Sequence, residues 1–591
     1  MDRIKIFQII IYLFAALIVL RLFYWQFIGK IEPQNRGSQD EIPAPRGEII
    51  TSDGFPIVAN QEAFLLYAKP NEVKDPKKLA QTLAPYLIGE KYARPPSTYA
   101  EGVVGQATQE ASTTDDEKKN KDEEIKAKAQ SIQDRLENRN LLWVQIARKI
   151  PQMIKDAIVG QKVDAIGFEP DQKRLYAEGS MAAQLLGFVG SNQFGEDTGY
   201  FGLEGYYERK LQGKPGRLGQ ETDPLGLPIL VSKYRRIEPE KGSSLHLSID
   251  RVIQFMVEGK LKAAVEKYGA KSGTVIIEDP KTGKIIAMAS YPTYNPTTRE
   301  EYDEKLYQNP AIIDAYEPGS TFKVLVMSAA LDLGLVDPNT KCTVCSGPRE
   351  ISGYKISTWD NKYFPNSTMT DVIVHSDNTG MTFVADKLGV DNFYSYITKF
   401  GFSKPTGIDL QGEVSGELRA KQDWKPIDLA TASFGQGLTV TPLQMVQAVS
   451  AIANGGIEID PKVTSQIENS KGQLENVEQK PTRVISEKTA AQMTEMMVSA
   501  VENGEAKFFA PKGYRIAGKT GTAQIPVAGH YDPNKTIASF VGFAPANNPR
   551  FVMLVRFTEP SASIFGAETA APTFFDIAKE MFNYWGIPPS R

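Results

Sequence analysis

Residues 316–327 read YEPGSTFKVLVM, and the reading of this stretch decides the rest. Pro318-Gly319 interrupts regular structure, and from Ser320 onward Phe322, Leu325, Val326, Ala329 and Leu333 recur at the spacing of an amphipathic helix. Ser320 then sits at a helix N-terminus, where unpaired N–H groups and the positive end of the dipole favour developing negative charge. Lys323 lies one turn further along the same edge. A neutral lysine there could take the serine's proton, provided that burial and a second cation hold its pKa well below the ordinary lysine value.

The S-x-x-K spacing alone proves little, since a chain this long holds about two such matches by accident. The second is Ser352 to Lys355 in ISGYKIS. That stretch alternates like a strand, which would put positions i and i+3 on opposite faces. Helical spacing singles out Ser320.

At 591 residues the chain is too long for one hydrophobic core, so at least two folded domains are expected. With 41% hydrophobic and 23% charged residues it reads as globular, and a net charge of −4 gives no reason to expect nucleic-acid binding. Two cysteines, Cys342 and Cys345, and three histidines, His246, His375 and His530, leave no local cluster of three or four such ligands, which removes most metal-site architectures. The pair CTVC could be an i, i+3 disulfide, a redox motif or two buried thiols; a surface disulfide or free thiols is favoured over redox or metal work, since no thioredoxin-like context surrounds it. No histidine stands in a recognisable triad context.

Residues 1–5 precede an apolar run, residues 6–28, interrupted by Gln8, Arg21 and Gln26. Twenty-three residues make about 35 Å of helix, enough to cross a bilayer. Arg21 can snorkel to the headgroups beside Tyr24 and Trp25. Arg3 and Lys5 orient the short tail to the cytoplasm, so the expectation is a single-pass cytoplasmic (inner) membrane protein with its bulk outside. No small-residue cleavage site follows the run, which disfavours a signal peptide.

Residues 29–245 read as a β-rich region, opening with PAPRGEIITSDGFPIVAN and a turn at Asp53-Gly54. Residues 91–141 break the pattern with mixed charge and no core-forming period. They are expected to be an exposed insertion, disordered first and helical later. GTVIIEDPKTGKIIAMAS reads as a hairpin, and alternating helical and strand patterns to the C-terminus imply an α/β (α+β) domain over about 246–585.

In this context Ser320-Thr321-Phe322-Lys323, Ser376-Asp377-Asn378 and Lys519-Thr520-Gly521, followed by Thr522, resemble the three ordered motifs S-x-x-K, S-x-N and K-T-G of the penicillin-binding proteins. That family shares its catalytic fold with serine β-lactamases. Lys281-Thr282-Gly283 repeats the last motif but precedes the serine, in a hairpin turn. Lys519 instead opens a candidate strand, GKTGTAQIP, whose glycines allow close approach of substrate backbone.

The similarity extends over nearly the whole chain. It includes RGEIITSDG, where the usual Asp-Arg before the glycine is Ser52-Asp53, and GLEGYYERKLQG, FGQGLTVTPLQM and SFVGFAPANNPRF. No glycosyltransferase domain has room before residue 246, so the resemblance is to the monofunctional, class B branch. YEPGSTFK and the ending AAPTFFDIAKEMFNYWGIPP look more like its septal than its elongation type.

The resemblance implies a transpeptidase domain on an elongated pedestal (dimerisation-type) domain behind one N-terminal transmembrane helix. It implies a D,D-transpeptidase acting on peptidoglycan stem peptides through an acyl-enzyme on Ser320, inhibited by β-lactams and needing no metal or cofactor. Lys323 would be the base, Ser376 a proton relay and Asn378 a ligand of the substrate amide. Lys519, Thr520, Gly521 and Thr522 would hold the carboxylate end. The N–H groups of Ser320 and Thr522 would form the oxyanion hole. Implied partners are a polytopic glycosyltransferase contacting residues 6–28 and division or elongation proteins. A membrane-anchored β-lactamase or β-lactam sensor would carry the same motifs, and an inactive division scaffold is the non-enzymatic alternative. Asp377 and His375 receive no chemical role.

Overall fold

The computed structural model describes residues 12–21, 37–88, 115–193, 195–221, 235–527 and 530–589. Of the expected membrane span, residues 12–21 are helical and exposed, and the remainder lies outside the described residues, as do residues 29–36 and residues 91–114 of the charged insertion. No helix among the described residues is long and apolar enough to cross a membrane.

The chain divides into two compact units. The smaller, residues 1–45 and 213–242, holds a three-stranded antiparallel sheet in the order Gly37–Ile42, Gly216–Glu221, Arg235–Ile237. The larger comprises residues 46–212 and 243–591.

The larger unit contains a five-stranded sheet in the order Lys284–Tyr291, Ser272–Asp279, Phe551–Thr558, His530–Ala544, Ala517–Val527, antiparallel throughout. The expected hairpin forms its first two strands. Both faces are covered, so alternation becomes division between two cores rather than between core and solvent. Val552 and Leu554 join a core with Phe322, Val326, Met381 and Val449, while Phe551, Met553, Val555 and Phe557 join another with Leu261, Phe574 and Phe582. Because the sheet is antiparallel and a largely helical stretch separates Tyr291 from Ala517, the domain is α+β rather than a regular alternation of strand and helix.

Local chemistry accounts for the helices that flank the site. Asp377 caps Asn378–Lys399 by accepting from the N–H groups of Thr379 and Gly380. Thr441 and Gln444 form a capping box at Pro442–Ala453, with Pro442 at its first turn.

A second sheet joins the two sequence halves. The strand Ser244–Leu247 pairs in parallel with Ile49–Ile50 and antiparallel with Thr464–Glu468, so it straddles the 245/246 boundary read from sequence. Nearby, Arg46 and Arg174 both donate to the fully buried Glu204, at 2.8 and 2.7 Å, and Arg174 also reaches Asn60 at 2.9 Å. Burial opposes the Glu204 carboxylate charge, and the two guanidinium groups outweigh it, holding its pKa below the ordinary carboxylate value. Arg46 of RGEIITSDG and Glu204 of GLEGYYERKLQG, far apart in sequence, meet in this network.

Four expectations need correction. The helix Lys323–Asp332 is buried from Lys323 to Leu331 rather than amphipathic, because the cluster of neighbouring helices encloses it; Leu333, counted on its apolar face, is 40% exposed past its end. The described part of the charged insertion, Asp115–Glu137, does contribute to a core: Ile132 and Leu136 are buried with Leu79 and Leu83 of Pro76–Leu87, an apolar edge too narrow to register as a period. Ser352 lies not in a strand but in the turn between Arg349–Ile351 and Tyr354–Ile356, at φ 51°, beside the glycine that makes the turn possible. Cys342 and Cys345 form a disulfide, but a buried one, at 2% and 0% exposure, because both pack into the main core.

Candidate active site

Ser320 lies in a single 3₁₀ turn, Gly319–Phe322, that leads into Lys323–Asp332. Gly319 takes φ 58°, and a Cβ there would stand 3.0 Å from the carbonyl oxygen of Thr522. Gly521 faces the same constraint from the other side: its Cβ would lie 2.5 Å from Ser539 Oγ and 2.8 Å from Thr321 Cγ2. The two glycines let the Ser320 turn seat directly against the edge strand Ala517–Val527.

Ser376 follows the helix Met369–Val374 at φ 54°, a strained conformation for a residue with a side chain. The bend aims its Oγ at two lysines. Lys519 Nζ donates to it at 3.0 Å, and Lys323 Nζ lies 3.3 Å from it. Lys323 also donates to Ser376 O at 2.5 Å and to Asn378 Oδ1 at 2.7 Å. The Asn378 amide is turned to this task by its own donation to Ser357 O at 3.1 Å.

Lys323 is 0% exposed and Lys519 3%. Burial is the main cause of a Lys323 pKa well below the ordinary lysine value; the Lys519 charge pushes the same way, and Asp377 and Glu505 oppose it. Burial also lowers Lys519, opposed by Glu505. A neutral amine has two N–H groups and one lone pair. The two short contacts to Ser376 O and Asn378 Oδ1 use both N–H groups and leave the lone pair for a hydroxyl proton.

A cleft of about 720 Å³ is lined by Ser320, Ser376, Asn378, Thr520 and Thr522 together. A cavity of about 810 Å³ near Tyr206–Lys210 is larger, but no residue of the three motifs lines it. The chemistry belongs to the smaller space. Thr522 Oγ1 accepts from Gly566 N at 3.0 Å, which leaves its proton free to face the cleft. Thr520 is already committed: its hydroxyl accepts from Lys519 at 3.1 Å and donates to Glu505 Oε2 at 3.0 Å.

All eight residues named from sequence are therefore brought together. His375 stacks on Phe364, ring centroids 4.0 Å apart, and Asp377 serves as a cap. Sequence reasoning missed Glu505, Trp359 and Phe565, which line the cleft. Trp359 meets Phe565 at 5.4 Å. Nothing in NGEAK, STWDN or SIFGA marks them, because each is placed by a loop rather than by a periodic element.

A β-lactamase-like serine site of this kind, set on an antiparallel sheet, defines an acyl-transfer class of protein. Comparisons with known proteins narrow it. The penicillin-binding protein transpeptidase domain matches residues 273–579, and the penicillin-binding protein dimerisation domain matches 41–247. Stage V sporulation protein D of Bacillus subtilis is 31% identical over 552 residues, covering 92% of this chain and 79% of that protein. Peptidoglycan D,D-transpeptidase FtsI of Escherichia coli is 32% identical over 457 residues, 76% of this chain and 73% of that one. A solved peptidoglycan synthetase from Bifidobacterium adolescentis superposes with a TM-score of 0.72 at 25% identity, over 94% of this chain and 98% of that one. The chain belongs to the penicillin-binding proteins, with the transpeptidase and dimerisation domains expected of the class B branch.

Proposed function

We propose that this protein is a peptidoglycan D,D-transpeptidase that cross-links stem peptides through an acyl-enzyme on Ser320, and that it is a target of β-lactams. The observation that carries the reading is the pair of buried lysines converging on Ser376 Oγ within the cleft that Ser320 lines.

Lys323 Nζ takes the proton of Ser320 Oγ, which attacks the carbonyl carbon of the penultimate D-alanine. The N–H groups of Ser320 and Thr522 receive the oxyanion, a contribution of a few kcal/mol per donor in such sites. Collapse breaks the peptide bond, and Ser376 passes a proton to the departing D-alanine nitrogen. An amine of a neighbouring stem then attacks the ester and regenerates Ser320. Lys519 and the Thr522 hydroxyl hold the substrate carboxylate, with Thr520 supporting Lys519 from behind, and Asn378 orients both the substrate amide and Lys323.

Residues 6–28 act in this reading as a single membrane anchor, with residues 29–245 as pedestal and 246–585 as the catalytic domain outside the membrane. A polytopic glycosyltransferase contacting the anchor is the expected partner, and septal synthesis the expected setting, on the resemblance of YEPGSTFK and the C-terminal segment.

The test is a donor stem peptide ending in D-Ala-D-Ala, supplied with an acceptor stem bearing a free amine. Release of one D-alanine per cross-link formed supports the reading. Hydrolysis of β-lactams with no cross-link would assign the chain to the lactamases instead.

A further inference from the structure

Two buried lysines contact the same serine oxygen, yet the proposed mechanism needs them in different states: Lys323 neutral and Lys519 an ammonium. Their surroundings break the symmetry. The contacts of Lys323 at Ser376 O and Asn378 Oδ1 are to neutral acceptors. Lys519 instead leads through the Thr520 hydroxyl to the carboxylate of Glu505, in two hydrogen bonds of 3.1 and 3.0 Å. Glu505 lies two residues past the end of the helix Glu487–Asn503, on the turn that leads toward the Lys519 strand Ala517–Val527. Its Oε2 holds Thr520, while the residue lines the cleft itself.

Resting on the reading above, we propose that Glu505 is a positioning residue: through Thr520 it anchors the Lys519 ammonium, so that of the two lysines on Ser376 it is Lys323 that acts as the base. The relay fixes the Thr520 proton toward Glu505, which leaves the Thr520 oxygen to accept from Lys519 and nothing else to choose. A carboxylate one hydroxyl away stabilises the cation without forming a direct ion pair that would draw Lys519 off Ser376. Its charge opposes the loss of the proton from both lysines, and the hydrogen-bonded relay, which Lys519 makes and Lys323 does not, is what distinguishes them.

The other charged or titratable groups near this point are Asp377, which acts on Lys323, Glu568 across the cleft, and Asp360, Lys362, His375 and Lys507, which line an adjoining recess that Glu505 shares. None of them is hydrogen-bonded to Lys519 or Thr520 among the described residues. Glu505 is the carboxylate wired to the pair.

Glu505→Gln keeps an oxygen acceptor for Thr520 and removes the charge; Glu505→Asp keeps the charge on a shorter arm. The measurement is the pH profile of acylation by a labelled penicillin, with melting temperature as a check on folding. Removing the anion favours deprotonation of both lysines, so both limbs of the Glu505→Gln profile should move to lower pH, by roughly one unit. On the alkaline side this reads as about a tenfold slower acylation at fixed pH, and Glu505→Asp should restore most of it. A profile for Glu505→Gln that coincides with wild type, or one lowered equally at every pH and not restored by Asp, overturns the proposal. Absence of acylation in the wild-type protein would instead sink the transpeptidase reading on which it rests.

Discussion

Lys519 and Ser376 stand 143 positions apart in sequence, yet Nζ of the one donates to Oγ of the other at 3.0 Å. The contact ties the edge strand of the sheet to the loop before Asn378–Lys399, and with Lys323 it closes a triangle around one hydroxyl. Loss of any corner should be read in acylation, each in its own way.

Lys323 must be neutral to accept a proton, and its pKa lies well below the ordinary lysine value because it is buried beside Lys519. Acylation by penicillin should therefore rise with pH as Lys323 deprotonates and level off at a pH far below that at which a free lysine titrates. Lys323→Arg keeps a permanent cation. It should slow acylation by about 10²- to 10⁴-fold at every accessible pH, measured by stopped-flow or gel-based labelling.

Asn378→Ala removes the acceptor at 2.7 Å that holds Lys323 Nζ in place. The lysine then loses its orientation while its burial persists. A slower acylation step with little change in melting temperature is expected, and a large drop in stability with unchanged kinetics would contradict the role given to Asn378.

Glu204→Ala leaves Arg46 and Arg174 without their shared carboxylate in a buried site. Removing one partner of such a network costs about 3–5 kcal/mol, readable by denaturant unfolding. The folded pKa of Glu204 lies below its unfolded value, so its contribution is present above the unfolded value of about 4.5 and is lost as pH falls through the folded one.

Glu278 acts with the opposite sign. It is fully buried in the interior strand Ser272–Asp279, the Ser450 hydroxyl stands close by without reaching hydrogen-bonding geometry, and burial pushes its pKa up to about 8, helped by Glu458. The folded state keeps this proton between about 4.5 and 8 while the unfolded state releases it, so stability falls as pH rises through that window. Glu278→Gln should raise the melting temperature at pH 7.5 and change it little at pH 4.5.

The sequence made the catalytic floor readable because its chemistry is carried by short motifs in fixed order, and helical spacing separated Ser320 from Ser352. The hairpin at Ser272–Tyr291 was equally plain, since both strands are continuous apolar runs. What could not be read depends on long-range packing. The buried surround of Lys323–Asp332 comes from helices much later in the chain, so local pattern suggested an exposed face that does not exist. Ile132 and Leu136 sit among many charges, and only the partner helix Pro76–Leu87 reveals them as core. Glu505 carries no motif, and its position follows from where one helix ends and one strand begins.

The most direct test of the central claim is mass spectrometry of the protein after reaction with a labelled penicillin. A single, long-lived adduct on the tryptic peptide that contains Ser320, absent from folded Ser320→Ala, is the predicted result. An adduct on any other residue, or one that survives Ser320→Ala, would contradict the account.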